Sequence, residues 1–314
     1  MQAMADRRRF LKTVVGGAAG VTLSYLAPGA ALARSRPDPI TATALSDRLT
    51  LISGAGSNVV ALTGPEGVLL VDGGVADRSG DLMKVVNKLS DKRRVHTLFN
   101  THWHWDHTGS NERLSKTGTN IIAHEYTKLW LGADFYVDWQ DRQYKPRPAA
   151  ALPTQTFYKT GEMMFGDEKV EYGHLFQAHT DGDIYVFFRN QNVLVAGDVV
   201  SVGSYPILDY STGGWLGGIV DATRRLVELT NDTTRIIPGT GPVQSRADLQ
   251  TEAEMLATMK DRLIGLMKKG VGTDDLIANP PTREFDERWG DPKLFLTNAF
   301  RGLWGHVREL GGIV

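Results

Sequence analysis

The sequence predicts an α/β fold, a layered α+β arrangement in which short strands are covered by helices. Three observations carry this expectation. Apolar runs of strand length recur in two sets, over residues 49–71 and 154–196, separated by Gly- and Pro-bearing turns. Stretches with apolar residues at helical spacing accompany them, at residues 79–89, 217–229 and 246–269. The densest group of metal-ligand side chains in the chain stands where the run at 95–100 ends, and α/β sheets commonly place their sites at strand ends.

With 314 residues the chain is long enough for a sizeable core. A formal net charge of −1 gives no electrostatic case for nucleic acid. The absence of cysteine excludes disulfides, thiolate metal sites and thiol nucleophiles, so any metal must be held by His, Asp or Glu. Residues 1–33 read as an export signal outside the fold. Asp6-Arg7-Arg8-Arg9-Phe10-Leu11-Lys12 resembles a twin-arginine motif, residues 14–27 are mildly apolar and glycine-bearing, and Ala31-Leu32-Ala33 fits a small-x-small cleavage site. That run has too much glycine for a stable membrane span. The resemblance implies the twin-arginine export machinery as a partner, a bacterial source, and a periplasmic protein that takes its metal before or during export. The signal carries four of the 35 basic and one of the 36 acidic residues, so its removal leaves a net charge of −4.

Residues 34–314 are expected to form one domain. A loose lead-in at 34–44 precedes strand-like runs at 49–53, 58–63 and 68–71, the last closed by Asp72-Gly73-Gly74. A helix is expected over 79–89, from Leu82, Val85, Val86 and Leu89, and a buried strand over 95–100. Another short strand, 121–123, ends in His124, which stands alone and is expected to be structural, as is His174. Residues 125–160 form an insertion rich in aromatics, including Tyr126, Trp130, Phe135, Trp139 and Tyr144. Its aromatics either pack a helical pair or a dimer contact or, as the family resemblance described below implies, overhang the metals and shape the substrate pocket. A second strand set covers 156–158, 163–165, 169–176, 184–189 and 193–196. A Gly- and aromatic-rich loop, 202–218, should border the site. A helix over 217–229, a strand at 235–237, and helices over 246–269, 273–278 and 294–310 complete the chain.

The chemistry concentrates in Thr101-His102-Trp103-His104-Trp105-Asp106-His107-Thr108-Gly109. In an extended segment, positions i and i+2 point the same way, so His102 and His104 can grip one cation from one side. Asp106 and His107 follow where the chain turns and can face a second. Imidazole nitrogens with a carboxylate suit zinc best, then iron or manganese.

This stretch resembles the metallo-β-lactamase superfamily, and the resemblance continues through Ala178-His179-Thr180-Asp181-Gly182-Asp183 and Val193-Leu194-Val195-Ala196-Gly197-Asp198. It extends to Pro238-Gly239-Thr240-Gly241, where the family has histidine in place of Thr240. The resemblance covers most of residues 45–260 and implies a four-layer αβ/βα sandwich with metals at one edge between the sheets. It implies a first metal held by His102, His104 and His179, and a second held by Asp106 and His107, with Asp198 bridging. Asp72, either a brace for a ligand or a turn former, and Asp183 fall at supporting positions. Threonine is a poor zinc ligand, so the second of two zinc ions is expected to be weakly held. Water would fill the position, or Asp209 or Asp221, the nearest carboxylates in sequence, would swing in, or the enzyme would work with one metal.

The implied activity is hydrolysis of a small ester, lactone, β-lactam or similar bond by metal-activated water, with Asp106 orienting the nucleophile and shuttling a proton. The aromatic segments suggest a partly apolar small-molecule substrate. Two alternatives stay open: a mononuclear iron oxidoreductase of the same fold, and a periplasmic protein that binds a metal or ligand without turnover.

Overall fold

The computed structural model describes residues 39–307; the export-signal expectations fall outside them. The first sheet takes β1 (Thr41–Ala44), β2 (Leu49–Ser53), β3 (Val59–Gly64) and β4 (Gly67–Val71) as an antiparallel run. Helix α1 (Ser79–Leu89) then crosses to β5 (Val95–Phe99), which lies parallel to β4. Two short helices, α2 (Trp105–Thr108) and α3 (Asn111–Ser115), lead to β6 (Asn120–His124). The insertion contributes α4 (Glu125–Gly132) and a separate hairpin, β7 (Phe135–Val137) with β8 (Arg142–Tyr144), before β9 (Gln155–Phe157) closes the seven-stranded sheet beside β6.

The second sheet has five strands. β10 (Thr160–Phe165), β11 (Glu168–His174), β12 (Ile184–Phe188) and β13 (Val193–Gly197) run antiparallel. Helix α5 (Leu216–Leu229) carries the chain to β14 (Arg235–Pro238), parallel to β13. Four helices follow: α6 (Arg246–Lys268), α7 (Thr273–Ala278), α8 (Asp286–Trp289) and α9 (Lys293–Gly305).

Period-two alternation builds the layers. Val60, Leu62, Leu69 and Val71 point toward the second sheet, which answers with Ile184, Val186, Phe188, Val193 and Val195. Their alternates Val59, Ala61, Val68 and Leu70 pack under Leu82 and Val86 of α1. Tyr185, Phe187, Leu194 and Ala196 pack outward on α5, α6 and α9. The central strands of both sheets are thus buried on both faces, giving the αβ/βα four-layer sandwich. Each fully buried Leu, Ile, Val or Phe contributes roughly 1.5–3 kcal/mol of transfer free energy.

The fold differs from expectation at its edges. The lead-in holds a strand, β1, whose four residues are all exposed, so no apolar pattern marked it. The last helix ends at Gly305, not at residue 310, and residues 308–314 lie outside the description. No described helix is long and apolar enough to cross a membrane.

Under the loop that follows β13, Glu252 of α6 is buried and accepts the Ser201 backbone N–H at 2.9 Å. Burial pushes its carboxyl up to about 8. Between 4.5, its ordinary value, and about 8, the folded chain keeps a proton that the unfolded chain has released. Stability therefore falls as pH rises through this window, by at most about 1.4 kcal/mol per pH unit from this group. Glu252→Gln should flatten that part of the profile, so denaturant unfolding of the two proteins at pH 5 and pH 8 should show the larger loss in the wild type.

Candidate metal centre

Four parallel-paired strands, β4, β5, β13 and β14, end at one edge of the sandwich and each delivers a residue there: Asp72, the 101–107 stretch, Asp198 and the 238–241 turn. The fifth contribution, His179, comes from the turn joining β11 to β12. His102, His104, His179 and Asp198 each offer a ligand atom, and these atoms all lie within 4.8 Å of one another. His102, His104, His107 and His179 are at most 5% exposed.

The outer nitrogen of each ring has an acceptor. His179 Nδ1 donates to the Ile207 carbonyl at 2.7 Å, His104 Nε2 to Asp209 Oδ2 at 3.1 Å, and His107 Nδ1 to Asp72 Oδ2 at 2.8 Å. Carbonyl and carboxylate oxygens only accept, so each of these nitrogens carries the hydrogen. Thr101 Oγ1 gives its own hydrogen to Asp72 Oδ2 at 2.8 Å and accepts from His102 Nδ1 at 3.2 Å. In the neutral rings the inner nitrogens therefore hold bare lone pairs. His104 Nδ1 and His179 Nε2 face each other at 3.0 Å, an arrangement that repels unless a proton or a cation lies between them. His102 Nε2 and His107 Nε2 are buried with no hydrogen-bond partner. Such groups are costly to bury unless something pairs them. Three neutral nitrogens and a carboxylate fit a divalent ion of the zinc type.

Asp198 stands between two groups of histidines. Its Oδ2 is 3.8 Å from His102 Nε2 and 3.7 Å from His179 Nε2, while Oδ1 is 3.3 Å from His107 Nε2. Burial would raise the Asp198 carboxyl, but His107, His102 and His179 outweigh it and hold it well below the carboxylate range. Burial pushes His102 well below its ordinary value, reinforced by His107 and His104. For His107 burial acts the same way but is overcome by Asp198 and Asp72, which lift it well above.

Asp106 and His107 lie outside the four-donor group. Asp106 is half-buried in α2, its backbone carbonyl tied by Ser57 Oγ at 2.8 Å. Asp72 accepts from Thr101 N as well, at 2.8 Å, and so braces both the loop and His107. Asp183 is buried and accepts Thr180 N and Thr180 Oγ1 at 2.7 and 3.0 Å, fixing the turn behind His179; burial pushes its carboxyl well up. Thr240 is exposed and lines a groove with His179, Asp198, Ser201, Ser204 and Tyr205.

Gly239 passes so close to Asp198 that a Cβ would stand 1.8 Å from Oδ1, and only glycine fits. Asn58 clamps this turn from the first sheet, its Nδ2 donating to Pro238 O and Gly241 O at 3.0 and 2.9 Å.

Neither carboxylate considered for the Thr240 position is brought to it. Asp209 is fully buried with both oxygens engaged, Oδ2 by His104 and Thr212 Oγ1 (2.7 Å) and Oδ1 by Trp139 Nε1 (2.8 Å). Burial alone would raise it, but these hydrogen bonds hold it below its ordinary range. Asp221 is exposed on α5 beside Arg224. His124 and His174 stack on each other at 3.7 Å. His124 Nδ1 accepts Tyr126 N at the start of α4, and burial with the neighbouring His174 lowers it to about 4.

Sequence reasoning missed Thr101, Asn58 and Trp139. Thr101 adjoins the first ligand and was within reach; Asn58 and Trp139 act across long separations that no local pattern records. The insertion packs Trp130, Phe135, Trp139 and Tyr144 around Trp103, whose ring meets His104 edge-on at 4.4 Å. The insertion forms one helix and a hairpin rather than a helical pair, and its Trp139 holds the carboxylate that orients His104.

Known proteins share this framework. The chain is 22% identical over 241 residues to the 2,4-dinitroanisole O-demethylase subunit alpha of a Nocardioides species, covering 75% of this chain and 68% of that protein. It is 24% identical over 201 residues to metallo-beta-lactamase type 2 of Bacillus cereus, covering 64% and 73%. Among solved structures, the metallo-beta-lactamase from Pontibacter korlensis superposes with a TM-score of 0.56 at 19% identity, over 69% of this chain and 99% of that one. The stereoselective inverting sec-alkylsulfatase Pisa1 from a Pseudomonas species gives 0.68 at 14% identity, over 85% of this chain and 50% of that one. The sequence profile of the metallo-beta-lactamase superfamily matches residues 53–265, more than half of the chain and all four strands that end at the cluster. By that match this protein is a member of the metallo-beta-lactamase superfamily.

Proposed function

We propose that the chain is a metal-dependent hydrolase, with zinc the preferred ion, acting on a small ester, lactone, β-lactam or similar bond. We propose further that it works in the periplasm after twin-arginine export. The observation that carries the hydrolase reading is the set of acceptors on the outer imidazole nitrogens, which leaves four donors converging around one point. His102, His104 and His179 would hold the first ion, and Asp106 and His107 the second, with Asp198 between. When bound, such an ion supplies Lewis acidity and brings the pKa of a coordinated water to about 7.

The chain's own groups do the rest. The Asp106 carboxylate has no hydrogen-bond partner among the described residues and stands in the first turn of α2, beside His107. It is free to orient the attacking water, accept its proton and pass that proton to the leaving group. Asp72 and Asp209 keep His107 and His104 in the required tautomers throughout. The aromatic hairpin shields one wall from water and suits a partly apolar substrate. The names of the similar proteins span β-lactam, alkyl-sulfate and aryl-ether substrates and do not select one bond.

A one-ion version with iron has one observation in its favour: four donors converge without Asp106 or His107. Iron rather than zinc in the purified protein, with oxygen consumption, would support that version.

The test is turnover by the zinc-loaded chain on a panel of aryl esters, lactones and β-lactams. Hydrolysis of at least one class, abolished by a chelator and restored by zinc, is the expected result; no turnover of any class would overturn the reading. For the second ion, Thr240→His should raise its affinity at least tenfold, read by competition with a chromogenic chelator. An unchanged affinity would show that Thr240 does not weaken that position.

A further inference from the structure

The hairpin β7–β8 carries a cation beside the loop that bears the candidate ligands. Arg142, exposed at the start of β8, has its guanidinium carbon 4.8 Å from the ring centre of Tyr144 and 5.6 Å from that of Trp105. Both rings adjoin residues of the candidate centre. Trp105 stands between His104 and Asp106 and is 41% exposed. Tyr144 meets Trp103 edge-on at 4.8 Å, and Trp103 in turn meets His104. Tyr144 is also near enough to feel the charges of Arg142, Asp209 and Asp106.

The guanidinium has no protein acceptor. No hydrogen bond or ion pair joins it to any described residue. The carboxylates of its own hairpin are engaged elsewhere: Asp141 accepts from Tyr136 Oη, and Asp138 from Arg301 and Tyr210. Elsewhere on the surface arginines do find carboxylates, as Arg189 does with Glu171 and Arg262 with Glu284. Contact with aromatic rings holds the guanidinium without using its N–H groups, which form a planar fork matched to an oxyanion.

We propose that Arg142 is the specificity-determining residue of this site and binds an oxyanion group, a carboxylate or sulfate, on the substrate. That group lies away from the bond being cleaved, so the substrate is an anionic, partly apolar molecule held at one end by Arg142, beside Trp105 and Tyr144, and at the other by the metal centre. The assignment rests on the hydrolase reading above.

The experiment compares two 4-nitrophenyl succinates on the zinc-loaded full chain, one with a free terminal carboxylate and one with that carboxylate as its methyl ester. In the wild type the free acid should have the lower KM. In Arg142→Gln its advantage in kcat/KM over the methyl ester should fall at least tenfold, through KM and not kcat, and Arg142→Lys should recover part of it. An unchanged ratio would overturn the proposal while leaving the hydrolase reading intact. If the wild type cleaves neither ester, these probes give the hydrolase reading no support, and calorimetric titration with benzoate and benzamide decides the anion site. A tenfold loss of benzoate affinity in Arg142→Gln, with no matching loss for benzamide, supports the site; equal benzoate affinities for the two proteins exclude it.

Discussion

Four imidazoles cannot be buried in mutual contact unless the hydrogens on their outer nitrogens are all accounted for. Here the ring centres of His102 lie 4.7, 4.2 and 4.8 Å from those of His104, His107 and His179. Acceptors behind each ring, supplied by Thr101, Asp209, Asp72 and the Ile207 carbonyl, fix the tautomer and turn the lone pairs inward. The inward nitrogens then demand a cation, which is why donor chemistry and fold are inseparable in this protein. Most of the surrounding structure serves that arrangement. Glycine at 239 lets a turn slide past Asp198, Asn58 pins that turn, and Asp72 ties the end of β4 to the loop after β5.

The insertion takes part in the same constraint from the outside. Trp139 donates to Asp209, Asp209 accepts from His104, and Trp103 packs its edge against His104 while bonding Thr212 through Nε1. The hairpin is therefore coupled to one candidate ligand through a single buried carboxylate. It is also tied to α9, since Asp138 accepts from Arg301. The aromatic-rich insertion thus helps to fix the geometry of the centre.

Much of this was legible in the sequence because it is local or periodic. The alternation in β3, β4, β12 and β13 fixes which residues face which layer, and the His-x-His-x-Asp-His spacing marks one strand end. The supporting residues were legible only where they fall in or beside a motif, as with Asp72 and Asp183. The partners of His104 and of the 238–241 turn were not, because Trp139, Asp209 and Asn58 reach them across 35 residues or more, and only the folded topology brings them together. Asp209 shows the hazard of reading proximity in sequence: it looked available to the Thr240 position, yet its two oxygens are consumed in orienting His104. Strand β1 escaped notice for the opposite reason, since an exposed edge strand has no buried face to imprint a pattern.

The central claim is that inward-turned lone pairs make a pre-formed metal centre. Its most direct test is elemental analysis of the purified chain after zinc loading and gel filtration, with chelator added in steps. The account predicts that zinc stays bound, with one ion per chain resisting chelator well beyond the point at which a second is lost. A chain that leaves the column with no zinc, while still folded by circular dichroism, would contradict it.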